Sequence, residues 1–363
     1  MSIFRDFFVK EKPVFTGIAR GIGGFGFGGG SSEAPVPVKA TGGTKYTNGS
    51  QTVHEFTSNS TLVVHENIPA VTYLVVGGGG GGGGYTTRAG GGGAGGVRSN
   101  HPETPAAIRT PSSYSLPAGT YPVVVGAGGV ARGNGSGSWP SANNVPEGGA
   151  QAPGPGVYGT PGFSSIFNGP GVNSVSKIVG TGGGAGIWGG AGQPSPVATG
   201  GSGGGSGDWD GGGAGASAVV SPDGLGPTVQ GYAGGPSPPA PGSYVSGGGG
   251  GAGGVAPSPD GGKGGVSVQI RIRGKNTTPV GEYYGGGGQG TGGAIPADTV
   301  SDPGGSGGRF SSNQLLPNDA VGGLPARSDA SDGFPGTGGG GAGVSANDGN
   351  GGPGIIVISY PTL

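Results

Sequence analysis

The sequence has no cysteine, one methionine, three tryptophans and three histidines in 363 residues. Without cysteine there is no disulfide framework, no thiolate metal site and no thiol nucleophile. Charge is scarce as well: 17 Lys and Arg stand against 18 Asp and Glu. That balance leaves no basic stripe, so nucleic-acid binding by phosphate neutralisation is not expected. No run approaches the ~20 apolar residues of a membrane-spanning helix. Arg5, Asp6, Lys10, Glu11 and Lys12 interrupt the apolar positions of residues 1–12, so no secretory signal is expected either.

What is abundant is glycine, 101 residues, with 33 prolines beside it. Above ~25–30% of the two together, an aperiodic sequence ordinarily reads as disordered. Tracts such as 90–96 (GGGGAGG) and 247–254 (GGGGGAGG) break the three-residue period of collagen. A fold is argued for by placement. The apolar run Val71–Val76 leads straight into the eight glycines 77–84. The same alternation of short apolar segment and glycine tract continues to Ile355–Tyr360 at the end.

Several segments read as strands. Thr52–Thr57 and Thr61–His65 flank Ser58-Asn59-Ser60, which predicts a hairpin with a three-residue loop. Val71–Val76 is apolar on both faces and should be buried. Thr120–Val125 is a strand that Pro122 should confine to an edge or a strand start. Val266, Val268, Ile270 and Ile272 alternate with Ser267, Gln269, Arg271 and Arg273, a half-buried period of two. No useful helical periodicity follows residue 13.

Between the strands run glycine tracts at 77–97, 180–192, 200–215, 247–254, 285–293, 303–308 and 336–354. Glycine weakens helix and strand interiors alike. The remaining regular option is the extended polyproline-II-type helix, three residues per turn. Side by side, such helices can exchange N–H···O=C bonds and close Cα–H···O contacts, because no Cβ holds them apart. The expected fold class is therefore all-β and irregular: a short β-strand platform plus a sandwich of packed polyglycine-II helices.

Residues 1–45 read as a separate N-terminal anchor and linker, and 46–363 as the glycine-rich domain. Ile3, Phe4, Phe7 and Phe8 share one face of a short helix that Ser2 can cap and Pro13 ends, with Phe15 just beyond. Ser31–Lys39 reads as an extended linker. The five apolar residues are the candidate attachment surface, in a segment of helical or extended conformation.

The chemistry of catalysis is thin. Gly21–Gly26 fits G-x-G-x-x-G, a chance match in a chain this rich in glycine, and no helix pattern follows it. Lys263 stands in GGKG without the Ser or Thr of a phosphate-binding loop. His54 and His65 would lie close across the predicted hairpin, with Glu55 and Glu66 near in sequence, a set that could hold a metal; strand-surface residues are the plainer reading. Asp208 and Asp210 lie in a polar loop with nothing to raise a pKa. No enzyme activity, metal or cofactor is expected. Aromatics are the better markers. Trp139, Tyr158, Trp188, Trp209 and Tyr244 sit in or beside loops and are candidate receptor contacts, able to stack on sugars. Covering the faces of the glycine array is the plainer role for any one of them.

The order of segments resembles the glycine-rich domain of bacteriophage tail fibres and other virion proteins. The matching residues are Glu55–Ser58 through Tyr73–Val76 into the Gly77 tract, Tyr121–Gly129, Ser164–Asn168, Gly180–Gly184 and Gly354–Pro361. Where that family often has a basic residue, this chain has Ser359. The N-terminus (SIFRDFFVKEKP…GIARG) looks like that of structural proteins of cyanophage-type viruses. The resemblance implies polyglycine-II packing as in a T-even-like phage adhesin, whose distal loops contact bacteria. It implies a virion location, other tail, baseplate or capsid proteins as partners through the N-terminus, and a bacterial surface receptor or glycan at the far end. A trimer and a single chain both fit. The alternatives are a capsid decoration with no receptor, or an ice-binding or matrix polyglycine-II protein.

Overall fold

Hydrogen bonds leave residues 77–84 in three directions, one direction for every third residue. In the computed structural model Gly77, Gly80 and Gly83 donate to Gly96, Gly93 and Gly90. Gly78 and Gly81 donate to Phe163 and Thr160, and Gly79 and Gly82 to Gly352 and Gly349. A period of three with no bond inside the segment is the signature of a polyproline-II-type helix. The described residues are 38–84, 89–111, 114–131, 159–168, 175–187, 199–207, 218, 223–225, 227, 229–237, 246–257, 262–274, 282–290, 332–343 and 349–362. The chain divides into Met1–Val38, of which only Val38 is described, and Lys39–Leu363.

Among the described residues twelve such segments, or columns, can be traced through the bonds: g1 (77–84), g2 (89–96), g3 (126–131), g4 (159–163), g5 (181–187), g6 (200–207), g7 (231–237), g8 (246–252), g9 (262–267), g10 (285–290), g11 (338–343) and g12 (349–354). Their mutual bonds fix three layers of four columns. The outer layers run g4–g5–g6–g7 and g12–g11–g10–g9, and the middle layer g3–g1–g2–g8. Column g1 is ringed by g2, g5, g4, g3, g12 and g11, each bonded to g1 and to the next in the ring. Column g2 is ringed in the same way by g1, g5, g6, g8, g10 and g11. This is the expected polyglycine-II sandwich. Its core is hydrogen-bonded backbone.

Close approach explains the glycine. A Cβ on Gly79 would stand 2.1 Å from the carbonyl oxygen of Gly339, and one on Gly92 2.1 Å from that of Gly80. Within the columns φ is positive only at Gly262, Gly285 and Gly338, each at the start of its column. Elsewhere it is the missing side chain that matters.

The platform is a continuation of the columns. Strands β1 (Ala40–Thr41), β4 (Ser60–Val64), β7 (Gly119–Val124), β8 (Ser165–Phe167) and β9 (Ile178–Gly180) form one antiparallel sheet in the order β1-β4-β7-β8-β9. Strands β2 (Thr44–Asn48), β3 (Gln51–Phe56), β5 (Thr72–Val76), β6 (Val97–Ser99) and β12 (Ile355–Pro361) form a second, β2-β3-β12-β5-β6. Strands β10 (Val268–Gln269) and β11 (Tyr283–Tyr284) pair separately. Strand β5 runs into g1, β7 into g3, β9 into g5 and β11 into g10; g2, g4, g9 and g12 run into β6, β8, β10 and β12. Stacked sheets stand ~10 Å apart when side chains fill the gap. Where the side chains stop, the layers close until backbone meets backbone.

Alternation along β5 divides the platform core. Tyr73 and Val75 join Phe56, Leu62, Tyr121, Phe167 and Ile358 between the two large sheets. Leu74 and Val76 join Val53, Val268, Ile270 and Tyr284 on the other face. The second sheet thus lies between the first sheet and the β10–β11 pair.

Three strand expectations change. Strands β3 and β4 are not a hairpin: β3 pairs with β2 and β12, and β4 with β1 and β7. Phe56, Leu62 and Val64 all point into the gap between the sheets, so residues 57–59 carry the chain from one sheet to the other. Pro122 lies in an inner strand, third of five. Its nitrogen is on the β8 side, where β8 ends at Phe167 and Asn168, at φ 57, turns the chain away. No ladder bond is lost. The period of two holds for the buried Val268, Ile270 and Ile272 but not for Val266, which is half-exposed while Ser267 is buried. Val266 still belongs to g9, where the period is three.

Candidate functional site

Every one of the twelve columns ends away from the platform at a described residue. The rungs there include Gly83 to Gly90, Gly90 to Ile187, Gly91 to Gly247, Gly290 to Gly262 and Gly343 to Gln289. Platform-side rungs include Gly77 to Gly96, Gly96 to Thr181 and Gly285 to Thr337. The far end is thus opposite β1, through which the chain enters the domain.

Trp139, Tyr158, Trp188, Trp209 and Tyr244 lie outside the described residues, as do Ile3, Phe4, Phe7, Phe8 and Phe15. Their described flanks are informative. Trp139 and Tyr158 fall between Ala131 and Gly159, the far ends of g3 and g4. Trp188 follows Ile187 at the far end of g5, and Trp209 follows Gly207 at that of g6 by two residues. Tyr244 falls between Ser237 and Ser246, the far ends of g7 and g8. All five candidates thus occur in segments that leave the array at one end. Sequence reasoning named them by composition alone and had no means of grouping them. Asp208, Asp210 and Gly21–Gly26 also lie outside the described residues.

The described polar clusters are struts. His54 and His65 sit in or beside strands of different sheets, so the predicted juxtaposition does not form. His54 is fully buried, and both its ring nitrogens are engaged: Nδ1 lies 2.7 Å from the Gly42 carbonyl oxygen and Nε2 2.9 Å from the Tyr360 hydroxyl. With Nδ1 donating to the carbonyl, Nε2 accepts from Tyr360, which is the neutral ring. Burial pushes the His54 pKa below its usual value; the bond to Gly42 opposes this and Lys45 adds to it. Burial also pushes Tyr360 up to about 12. His65 Nε2 lies 3.2 Å from Thr41 Oγ1.

Arg98 and Asp223 form an ion pair with both side chains fully buried. Arg98 Nη1 also donates to the Pro227 carbonyl at 2.7 Å and Nη2 to that of Leu225 at 2.9 Å. Asp223 in turn accepts from the Val179 backbone N–H at 3.2 Å. It therefore joins β6 to β9, the edge strands of the two large sheets. Gln230 does the same beside it: its backbone carbonyl accepts from Val97 N–H at 3.0 Å, while its side chain accepts from Thr181 N–H and donates to the Val179 carbonyl.

Arg273 lies between Glu55, at 3.2 Å, and Glu282, at 3.8 Å, and Tyr46 donates to Glu55 at 3.2 Å. Burial works against the charge on Arg273, but Tyr284, Glu55 and Glu282 outweigh it and raise its pKa. This network fastens the β10–β11 pair to the second sheet. Among the described residues no group of three or more His, Asp or Glu is arranged to hold a metal ion. Lys263 stands on the outward row of g9; the glycines around it serve the array, since a Cβ on Gly264 would lie 1.9 Å from the Gly287 carbonyl oxygen.

No curated protein matches the chain. The glycine-rich domain family matches residues 52–361, from the start of β3 to the end of β12. The match begins and ends on strands that pair with each other, so it takes in strands β3 to β12 and every column between, with β1 and β2 before it, and the chain belongs to the glycine-rich domain family.

Proposed function

We propose that this chain is a non-enzymatic structural protein of a bacteriophage particle, displayed on a tail fibre or a host-contacting appendage. The N-terminal segment, with Ile3, Phe4, Phe7, Phe8 and Phe15, attaches it to tail, baseplate or capsid proteins. The glycine-rich domain carries at its far end the segments that meet a bacterial surface receptor or glycan. The observation that supports this most is polarity. The chain enters the domain at β1 on the platform, and all five candidate aromatics occur in segments that leave at the opposite end. A backbone-cored array suits that task, because column length and stiffness do not depend on what the end loops contain. Trp139 and Trp209, flanked by turn and polar residues, are the leading contacts.

The test is adsorption of particles carrying Trp139→Ala and Trp209→Ala together, with assembly followed in parallel. Adsorption reduced by about thirtyfold or more with normal assembly is expected, the loss of at least one aromatic hot spot of about 2 kcal/mol. Normal adsorption, or density for the domain on the capsid shell in electron cryo-microscopy, would remove the receptor role and leave a capsid decoration.

A further inference from the structure

A hydrogen-bonded array of columns shares a weakness with an open β-sheet: at its rim the backbone keeps donors that no neighbour uses, and a further chain can add there. One rim is made by g4, g3 and g12, on which Ala127, Val130 and Asn350 are exposed. Each column donates in three directions, so the spare donors follow from the bonds. In g4, Gly159 and Gly162 donate to g5, and Thr160 and Phe163 to g3, which leaves position 161. In g12, Gly349 and Gly352 donate to g11, and Gly351 and Gly354 to g3, which leaves 350 and 353. In g3, Gly129 donates to g1, which leaves 127 and 130 in one direction and 128 and 131 in the other.

Positions 161 and 353 are proline, which has no N–H to offer. Thr160 Oγ1 takes the Val130 N–H at 2.6 Å, Asn350 Oδ1 the Ala131 N–H at 2.8 Å, and Asp332 Oδ1 the Asn350 N–H at 2.6 Å. Among the described residues, only Ala127 and Gly128 keep a spare donor on this rim without an acceptor. Columns meet at distances that a single Cβ forbids, as at Gly79, so the outward side chains also hold a newcomer off. At the opposite rim the chain covers itself. Residues 253–256 pass between g7 and g9, where Gly253 N–H bonds to the Val266 carbonyl, Gly251 N–H to that of Gly254 and Ala256 N–H to that of Ala233. We propose that Thr160, Pro161, Asn350 and Pro353 are a guard that shuts the g4–g3–g12 rim against a glycine column of another copy of this chain. With 101 glycines, each copy carries many tracts able to add to a bare rim, and the contacts that build one domain would otherwise join domains.

Thr160→Gly, Pro161→Gly, Asn350→Gly and Pro353→Gly together bare the rim. Sedimentation velocity of the full chain, bared and wild type, over a concentration series reads the result, with a urea transition to show that the bared chain is folded. The bared chain is expected to associate at a concentration about tenfold lower than wild type, the worth of one or two hydrogen bonds per copy. Ala127→Lys, added to it, should reverse the gain. A folded bared chain that associates no more than wild type would overturn the inference, and so would a gain that survives Ala127→Lys, since the contact would then lie elsewhere. Amide hydrogen exchange of the wild-type protein gives a reading that no variant's folding can disturb. Relative to their intrinsic rates, the capped amides of Val130 and Ala131 should be protected about fivefold more than those of Ala127 and Gly128. Equal protection would mean that the caps do not hold, and would overturn the guard.

Discussion

A methyl group is the unit that this fold leaves out. At Gly92 the added Cβ would meet the backbone carbonyl of Gly80, which cannot rotate away as a side chain can. Moving it disturbs the bond that it accepts from Gly341 N–H, at 2.9 Å, and shifting Gly92 instead disturbs the bonds from Gly92 to Gly341 and from Gly288 to Gly92, at 2.9 and 2.8 Å. Gly92→Ala is therefore expected to destabilise the domain by about 3 kcal/mol, the upper end for overpacking a filled core. Ala127→Ser, on the exposed row of g3, should stay within about 0.5 kcal/mol. Urea unfolding with unchanged m-values measures both. Equal shifts would mean that the columns are looser than their bonds imply. Residue type at each third position then becomes a code. Inner columns g1 and g2 admit Ala only at 89 and 94. Outer columns place a larger residue outward on every third position: Thr160 and Phe163 in g4, Lys263 and Val266 in g9, Asn350 and Pro353 in g12.

That code explains which elements were legible in the sequence. Strands β5 and β12 were clear because both their faces are apolar; column g1, which β5 joins, was clear as a pure glycine tract, and g12, which runs into β12, as part of the glycine-rich stretch 336–354 despite Asn350 and Pro353. Columns g3, g4, g7 and g9 were missed, since Val130, Phe163, Tyr232 and Lys263 made them look like loops or strands. The β3–β4 hairpin was a reasonable pairing of two amphipathic runs, but local sequence does not say whether inward faces meet within one sheet or across two. The Arg98–Asp223 pair was equally invisible, its partners being brought together only when the segment after g6 returns to the platform. It has a measurable consequence. Asp223→Asn would leave Arg98 buried without a counter-charge and weaken the link from β6 to β9. A loss of about 3–5 kcal/mol is expected. Replacing both residues, as Arg98→Met with Asp223→Leu, should be milder. Chemical denaturation of the three variants tests it; a double variant as damaged as Asp223→Asn would place the energy in the carbonyl contacts of Arg98 and not in the ion pair.

The whole domain joins two kinds of core end to end, and its thermodynamics should show both. In the platform, folding removes apolar side chains from water, which gives the usual positive heat-capacity change on unfolding. In the array it removes mostly peptide groups, whose exposure lowers that change. Urea acts on peptide groups as well as apolar ones, so the array still contributes to the m-value. The two quantities ordinarily scale together with area, so their ratio is independent of how many residues fold. Here the heat-capacity change per unit of m is expected to be lower than in an ordinary domain, by about twofold given the share of backbone in the buried surface. Since eight strands run without a break into columns, a single transition should carry both parts. Calorimetry and urea titration of the full chain supply the numbers. A normal ratio would mean that the platform alone folds cooperatively. A low ratio with one transition would establish that hydrogen-bonded backbone, layered three deep, acts as a core in its own right.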